Sequence, residues 1–219
     1  MKRAARIGLA CLALSSTPVF AADDGEAAGR RAARPDKPDW EFAATGYWNE
    51  IRDGDSYASG IFIANRGALQ LEARANYEAL HAQSFFVGWT FSAGKEEGLN
   101  LEITPIIGGA TGDVRGPIAG FEATLAKGRF DFYVEAEYVR GRGSRDDSYT
   151  YAWSELGFRP VESVRLGLVG QRTKAYGGDR EFQRGGFAQF TFGKATAGVY
   201  WFNPGSSDQV IVASIGVAF

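Results

Sequence analysis

Residues 209–219 read Gln209-Val210-Ile211-Val212-Ala213-Ser214-Ile215-Gly216-Val217-Ala218-Phe219. The pattern has a period of two. Ile211, Ala213, Ile215, Val217 and Phe219 share one face of an extended strand, and the smaller Val210, Val212, Ser214, Gly216 and Ala218 share the other. A helix of 3.6 residues per turn would scatter both sets around its axis. The stretch is expected to be a strand with a different environment on each face.

The same alternation recurs upstream. Phe130, Phe132, Val134, Ala136 and Tyr138 oppose Asp131, Tyr133, Glu135 and Glu137. Leu69, Leu71, Ala73, Ala75 and Tyr77 oppose Gln70, Glu72, Arg74, Asn76 and Glu78. Twelve segments of about ten residues follow from Trp40 onward: 40–52, 57–65, 67–78, 84–92, 98–107, 117–126, 129–140, 148–158, 162–173, 182–193, 195–203 and 208–219. The weakest is 57–65, because Ile61, Phe62 and Ile63 are apolar on both faces. Ten strands are the alternative, should two weak segments be loops. Even-numbered connections read short (Asn65-Arg66, Lys127-Gly128, 159–161, Gly193-Lys194), whereas 108–116, 141–147 and 174–181 are longer and rich in Gly and charge.

Composition agrees with many strands and tight turns. Aromatics make up 14% of the 219 residues, with 29 Gly and only 7 Pro. A mean hydropathy of −0.21 suits a soluble protein, but polar residues inside a membrane barrel offset lipid-facing ones to the same value. The beginning of the chain carries Lys2, Arg3 and Arg6, then an apolar stretch from Ile7 to Leu14, then Val19-Phe20-Ala21. This reads as a signal peptide over 1–21. Residues 22–39 lack large apolar side chains and read as a disordered periplasmic lead-in. Cleavage after Ala21 leaves 21 basic residues against 26 acidic ones, a net charge of −5, and removes the only cysteine, Cys11. No disulfide or thiolate metal site is then available.

An even set of short alternating segments, alternating short and long connections, and a last strand ending on Phe219 together resemble the bacterial outer-membrane β-barrels, porin-like in class. No more specific family is matched. The resemblance implies an all-β fold: an antiparallel up-and-down transmembrane β-barrel over 40–219, with both ends on the periplasmic side. It implies Phe219 as the assembly signal read by the barrel assembly machinery. The partners it implies are outer-membrane lipid and lipopolysaccharide, around a monomer. A soluble β-sandwich would also alternate, but the leader, the loop asymmetry and the terminal aromatic favour the barrel. Aromatics near segment ends, Trp40, Trp48, Phe130, Tyr138 and Phe219 among them, fit two interfacial girdles.

With apolar faces toward lipid, the other faces line the interior. Glu72, Glu102, Glu122, Glu135, Glu155 and Arg165 fall four to seven residues from the periplasmic ends, with Arg74 and Glu137 one pleat higher. The expectation is a belt of carboxylates with two arginines. Two functions fit it: a passive channel with an acidic lumen favouring cations or small polar solutes, and a structural or surface-interaction barrel plugged by a charged network. Small twelve-stranded porins specific for oligosaccharides share the architecture but line their pores with basic residues, so their substrate does not carry over. Tyr149, Tyr151 and Trp153 share the face of Glu155 and are expected to fill the upper lumen rather than guide sugars. The sole histidine, His81, with Ser84 nearby and Asp146 or Asp147 on another loop, matches no hydrolase motif. No enzymatic role, cofactor, metal site or nucleic-acid surface is expected.

Overall fold

Alternation at period two carries almost the whole described chain into strands. The computed structural model describes residues 39–94, 98–142, 148–175 and 180–219. The predicted leader (1–21), residues 22–38 of the lead-in, Asp146, Asp147 and residues 177–179 lie outside the described residues.

The strands are β1 (Glu41–Ile51), β2 (Tyr57–Arg66), β3 (Leu69–Ala75), β4 (Gln83–Trp89), β5 (Phe91–Gly94), β6 (Leu99–Thr111), β7 (Gly116–Lys127), β8 (Phe130–Val139), β9 (Tyr149–Val161), β10 (Val164–Ala175), β11 (Arg180–Phe192), β12 (Ala195–Phe202) and β13 (Val210–Ala218). Apart from β4 and β5, every neighbour in sequence is an antiparallel neighbour in space, and β1 pairs with β13 from Ala43 opposite Ala218 to Ile51 opposite Val210. The sheet is a closed up-and-down barrel.

Thirteen strands make twelve staves, because β4 and β5 are two halves of one. Both pair with β6 in a single register, Gly88 opposite Ile106 and Phe91 opposite Ile103. The gap between them faces Pro105, which has no N–H to donate to the ladder. Thr90 bridges it by donating its N–H to Ala68 O at 2.8 Å and pairing its hydroxyl with that of Thr104 at 2.9 Å. Twelve staves match the sequence expectation; the ten-strand alternative does not hold.

Several boundaries differ from the sequence reading, among them the turns expected at Lys127-Gly128 and 159–161, which fall on Gly128-Arg129 and Glu162-Ser163. The first short turn falls on Gly67-Ala68, not Asn65-Arg66, and Gly67, Gly128 and Gly193 all turn at a φ of 58°. The connection expected at 108–116 shrinks to 112–115, because β6 runs on through Gly108 and Gly109. These glycines allow close approach and do not form a loop. A Cβ on Gly108 would lie 2.1 Å from Phe85 O on the neighbouring stave.

The faces divide as expected. Outward side chains are apolar and solvent-accessible all round the ring: Phe85 is 65% exposed, Ile107 68%, Leu168 65%, Phe192 70% and Ile215 66%. An apolar surface of that extent exceeds what a soluble monomer presents and is the lipid-facing wall of a transmembrane barrel. Segment 57–65 resolves the same way, with Ile61 buried within and Phe62 outside. At the rim of short turns Phe219 stacks on Phe42 at 5.8 Å, and Trp40 and Phe62 lie 6.2 and 6.1 Å from Phe42. Phe42 and Phe219 also exchange both backbone hydrogen bonds, at 2.9 and 2.8 Å.

Gly108→Val drives a branched side chain into a backbone carbonyl and should cost about 2 to 3 kcal/mol. Gly46→Ala, where a Cβ meets nothing within 4 Å, should stay within about 0.5 kcal/mol. Urea unfolding in lipid vesicles, followed by tryptophan fluorescence, measures both.

Candidate functional site: the charged lumen

Inward positions on adjacent staves converge because neighbouring strands hold a fixed register. Of the eight residues singled out in the sequence, Glu72, Arg74, Glu135, Glu137, Glu155 and Arg165 are buried in the interior and Glu122 is mostly buried. Glu102 points inward but stays apart. It is half-buried near the turn end and accepts only a 3.5 Å contact from Ser92 Oγ. The expected single belt is two clusters of different charge balance.

The first cluster surrounds Arg74 on β3. Its Nε donates to Glu72 Oε1, and its Nη1 donates to Glu137 Oε1 at 2.8 Å and Glu135 Oε1 at 3.1 Å. Glu78 Oε1 lies 3.5 Å from the same nitrogen, and Glu122 Oε1 lies 3.9 Å from Nη2. Five carboxylates thus stand within 4 Å of one guanidinium. The bonds to Glu135 and Glu137 cross the lumen from β3 to β8, four staves away around the ring. Arg74 is also sandwiched by rings, its Cζ 4.5 Å from the Tyr77 centroid and 4.3 Å from that of Phe86. A planar, weakly hydrated guanidinium suits such a place better than an ammonium. Glutamine and tyrosine side chains tie down the acids: Gln70 Nε2 donates to Glu122 at 3.2 Å, and Tyr133 and Tyr77 donate to Glu135 at 3.3 and 3.4 Å.

The second cluster is balanced. Arg165 on β10 donates to both oxygens of Asp131 and, through Nη1, to Glu155 and to Gln189 Oε1 at 2.9 Å. Arg159 pairs with the same Asp131. Glu155 Oε1 further accepts from Trp153 Nε1 at 3.0 Å and Tyr200 OH at 3.1 Å, and Tyr200 accepts from Gln189 at 2.8 Å. The Arg165 guanidinium lies over Phe187, 4.6 Å from its centroid. Two acids meet two arginines here, and every bond lies between staves β8 to β12.

Above these clusters, toward the loop end, aromatic and aliphatic side chains fill most of the lumen, with Asn49 and Gln171 buried among them. Trp153 packs edge-on against Tyr200 and Phe202 at 5.6 and 5.4 Å. Tyr149 and Tyr151, with Val139, Ile118 and Val210, complete the buried core. The three aromatics expected to fill the upper lumen do so.

Sequence reading passed over three charged members. Glu78, last on the polar face of segment 67–78, belongs to the turn after β3 and folds back inside, where Ser84 Oγ donates to it at 2.5 Å. Asp131 shares the polar face of Glu135 and Glu137 but lies at the turn end of its segment, and Arg159 falls in the expected turn 159–161; at such places a charge reads as belonging to the rim. The histidine reading finds no geometry. His81 is exposed beside Asp113 at 3.4 Å, whereas Ser84 is fully buried in the lumen. Among the described residues no group of three or more His, Cys, Asp or Glu is arranged to hold a metal ion.

No protein-family model matches the sequence, and no curated protein matches it. The barrel is similar to a membrane protein solved in work on the mechanism of in-meso crystallization. The TM-score is 0.54 at 10% identity, covering 82% of this chain and 83% of that one. Weaker likenesses include OccK5 (OpdH) of Pseudomonas aeruginosa, at TM-score 0.43 and 10% identity over 83% of this chain and 67% of that one. Another is OmpT of Vibrio cholerae without its loop L8, an outer membrane protein, at 0.41 and 8% over 83% and 98%. At such identities the likeness concerns the fold alone.

Removing one partner of a buried ion-pair network strands the others without compensation. Arg74→Ala should therefore cost about 3 to 5 kcal/mol, whereas Glu102→Gln should change stability by less than about 0.5 kcal/mol. Equilibrium unfolding in detergent or vesicles reads both.

Proposed function

We propose that the chain is exported to the outer membrane of a Gram-negative bacterium and stands there as a porin-like barrel whose resting lumen is filled by its own side chains. The observation that carries this reading is burial around the ring at mid-height. Tyr47 on β1, Arg74 on β3, Phe86 on β4, Glu135 on β8, Trp153 on β9 and Val212 on β13 are each at most 3% exposed. A water-filled channel would leave such residues wet, as barrels of about sixteen strands do. The short turns then face the periplasm, where Phe219 serves as the assembly signal, and the longer connections face outward. The barrel acts as a monomer through its wall and outer loops, without catalysis.

A second reading keeps a narrow pathway for cations through the same interior. Its support is the excess of carboxylates around Arg74, since a negative lining favours cations over anions. Opening would require Arg74 to leave its partners on β8.

Planar-bilayer recording separates the two. The filled barrel gives no steady conductance at low voltage. Stable cation-selective channels would put the second reading in its place, and stable anion-selective channels would contradict both.

A further inference from the structure

The β6–β7 hairpin carries a groove of about 670 Å³ at its loop end. Gly109, Thr111 and Pro117 of its lining share the outward parity of Ile107 and lie on the lipid-facing side, while Ala110 and Gly116 of the same lining are buried. The floor is shallow because its residues are small. The hairpin keeps this shape through Gly112 and Gly116, whose φ angles are +104° and +149°. A Cβ on either would come within 2.0 Å of His81 O or 1.9 Å of Arg140 O.

Two arginines complete the lining, Arg115 and Arg142, and both are exposed. The Arg142 N–H donates to Arg115 O at 3.2 Å, which places the two residues side by side. One donor of Arg115, Nε, is fixed on Gly112 O at 2.9 Å and orients the guanidinium. Asp113 lies 3.4 Å from His81 Nδ1 and is not among the residues that line the groove. Directly below, the wall becomes apolar at Ile107 and Phe121.

We propose that this groove binds the phosphate-bearing head of a membrane lipid, with the phosphate held by Arg115 and Arg142 and an acyl chain laid along the small-residue floor. Paired guanidinium groups match a phosphate in charge and geometry. Their place at the junction of polar loop and apolar wall selects a lipid over a dissolved anion, which would leave the floor uncovered. The inference rests on the outer-membrane orientation given above, where the outward leaflet supplies phosphorylated lipid A.

Native mass spectrometry of the full barrel released from micelles tests it, with bis-phosphorylated lipid A as the probe. Wild type should retain one lipid A, and R115Q and R142Q together should lower retention about tenfold. Thr111→Trp, which fills the groove and keeps both arginines, should lower it comparably. Arg172→Gln with Arg184→Gln, exposed arginines elsewhere near the loop end, should leave it unchanged. Each variant is scored only as the folded, heat-modifiable barrel, and either single arginine variant substitutes for the double if that one does not fold. Equal retention of dephosphorylated lipid A would overturn the proposal. So would equal loss in the Arg172 and Arg184 variant, full retention by the Thr111 variant, or displacement by inorganic phosphate at the lipid's own concentration. Recovery of the folded barrel outside the outer-membrane fraction would overturn the placement instead, separately from the lipid counts.

Discussion

A backbone N–H or C=O left unpaired in hydrocarbon costs several kcal/mol, so a sheet can cross a membrane only when it has no open edge. In this chain that condition depends on one ladder. β1 and β13 are the first and last strands, and nine residue pairs between them join the two ends of the sheet. The stacked pair Phe42 and Phe219, which also exchange their backbone hydrogen bonds, fastens the turn-end rim of that ladder. Pro105 is one place where a stave loses a donor, and the chain repairs it locally. Thr90 turns its N–H to the other neighbour and its hydroxyl to Thr104.

Closure at twelve staves then dictates what the interior must do. The ring is wider than an eight-stranded barrel that side chains fill readily, and narrower than those that hold an open channel. Large side chains meet that space: Trp153, Tyr77, Tyr151 and Tyr200 are among the largest fully buried residues. Charge supplies the remainder. The Arg165 cluster pairs two acids with two arginines and stitches β8 to β12, whereas the Arg74 cluster gathers five acids around one cation and ties β3 to β8 across the lumen. The first resembles a structural network; the second is a concentration of negative charge held by a single side chain. If the interior ever opens, Arg74 is the contact that must break.

Much of this was legible in the sequence because a strand's period of two is rigid: once Val212 is inward, so are Val210 and Ser214. The twelve segments, the inward set on Glu72, Arg74, Glu135, Glu137, Glu155 and Arg165, and the inward aromatics at 149, 151 and 153 all follow from parity alone. Parity is weakest as a guide at segment ends. Glu78 and Asp131 share the polar faces of their segments but lie at the ends, and Arg159 falls in an expected turn, so none stood out as a network member. Parity also says nothing of height around a tilted ring, which is why Glu102, inward like the others, stands apart from both clusters. Gly108 and Gly109 read as a loop because glycine marks both turns and close strand approach, and only the position of Phe85 O tells the two apart.

The account turns on whether water reaches the middle of the barrel. Outside Cys11 the chain has no cysteine, so a single introduced thiol reports its own surroundings. Ser214 points inward on β13 and is 8% exposed, while Ser207 lies exposed in the loop before it. Labelling of the folded barrel with a charged, water-soluble thiol reagent should proceed at least about 100-fold more slowly for Ser214→Cys than for Ser207→Cys, because a buried thiol reacts only through rare opening. Rates within about tenfold of each other would mean a wet lumen, and would contradict the filled barrel.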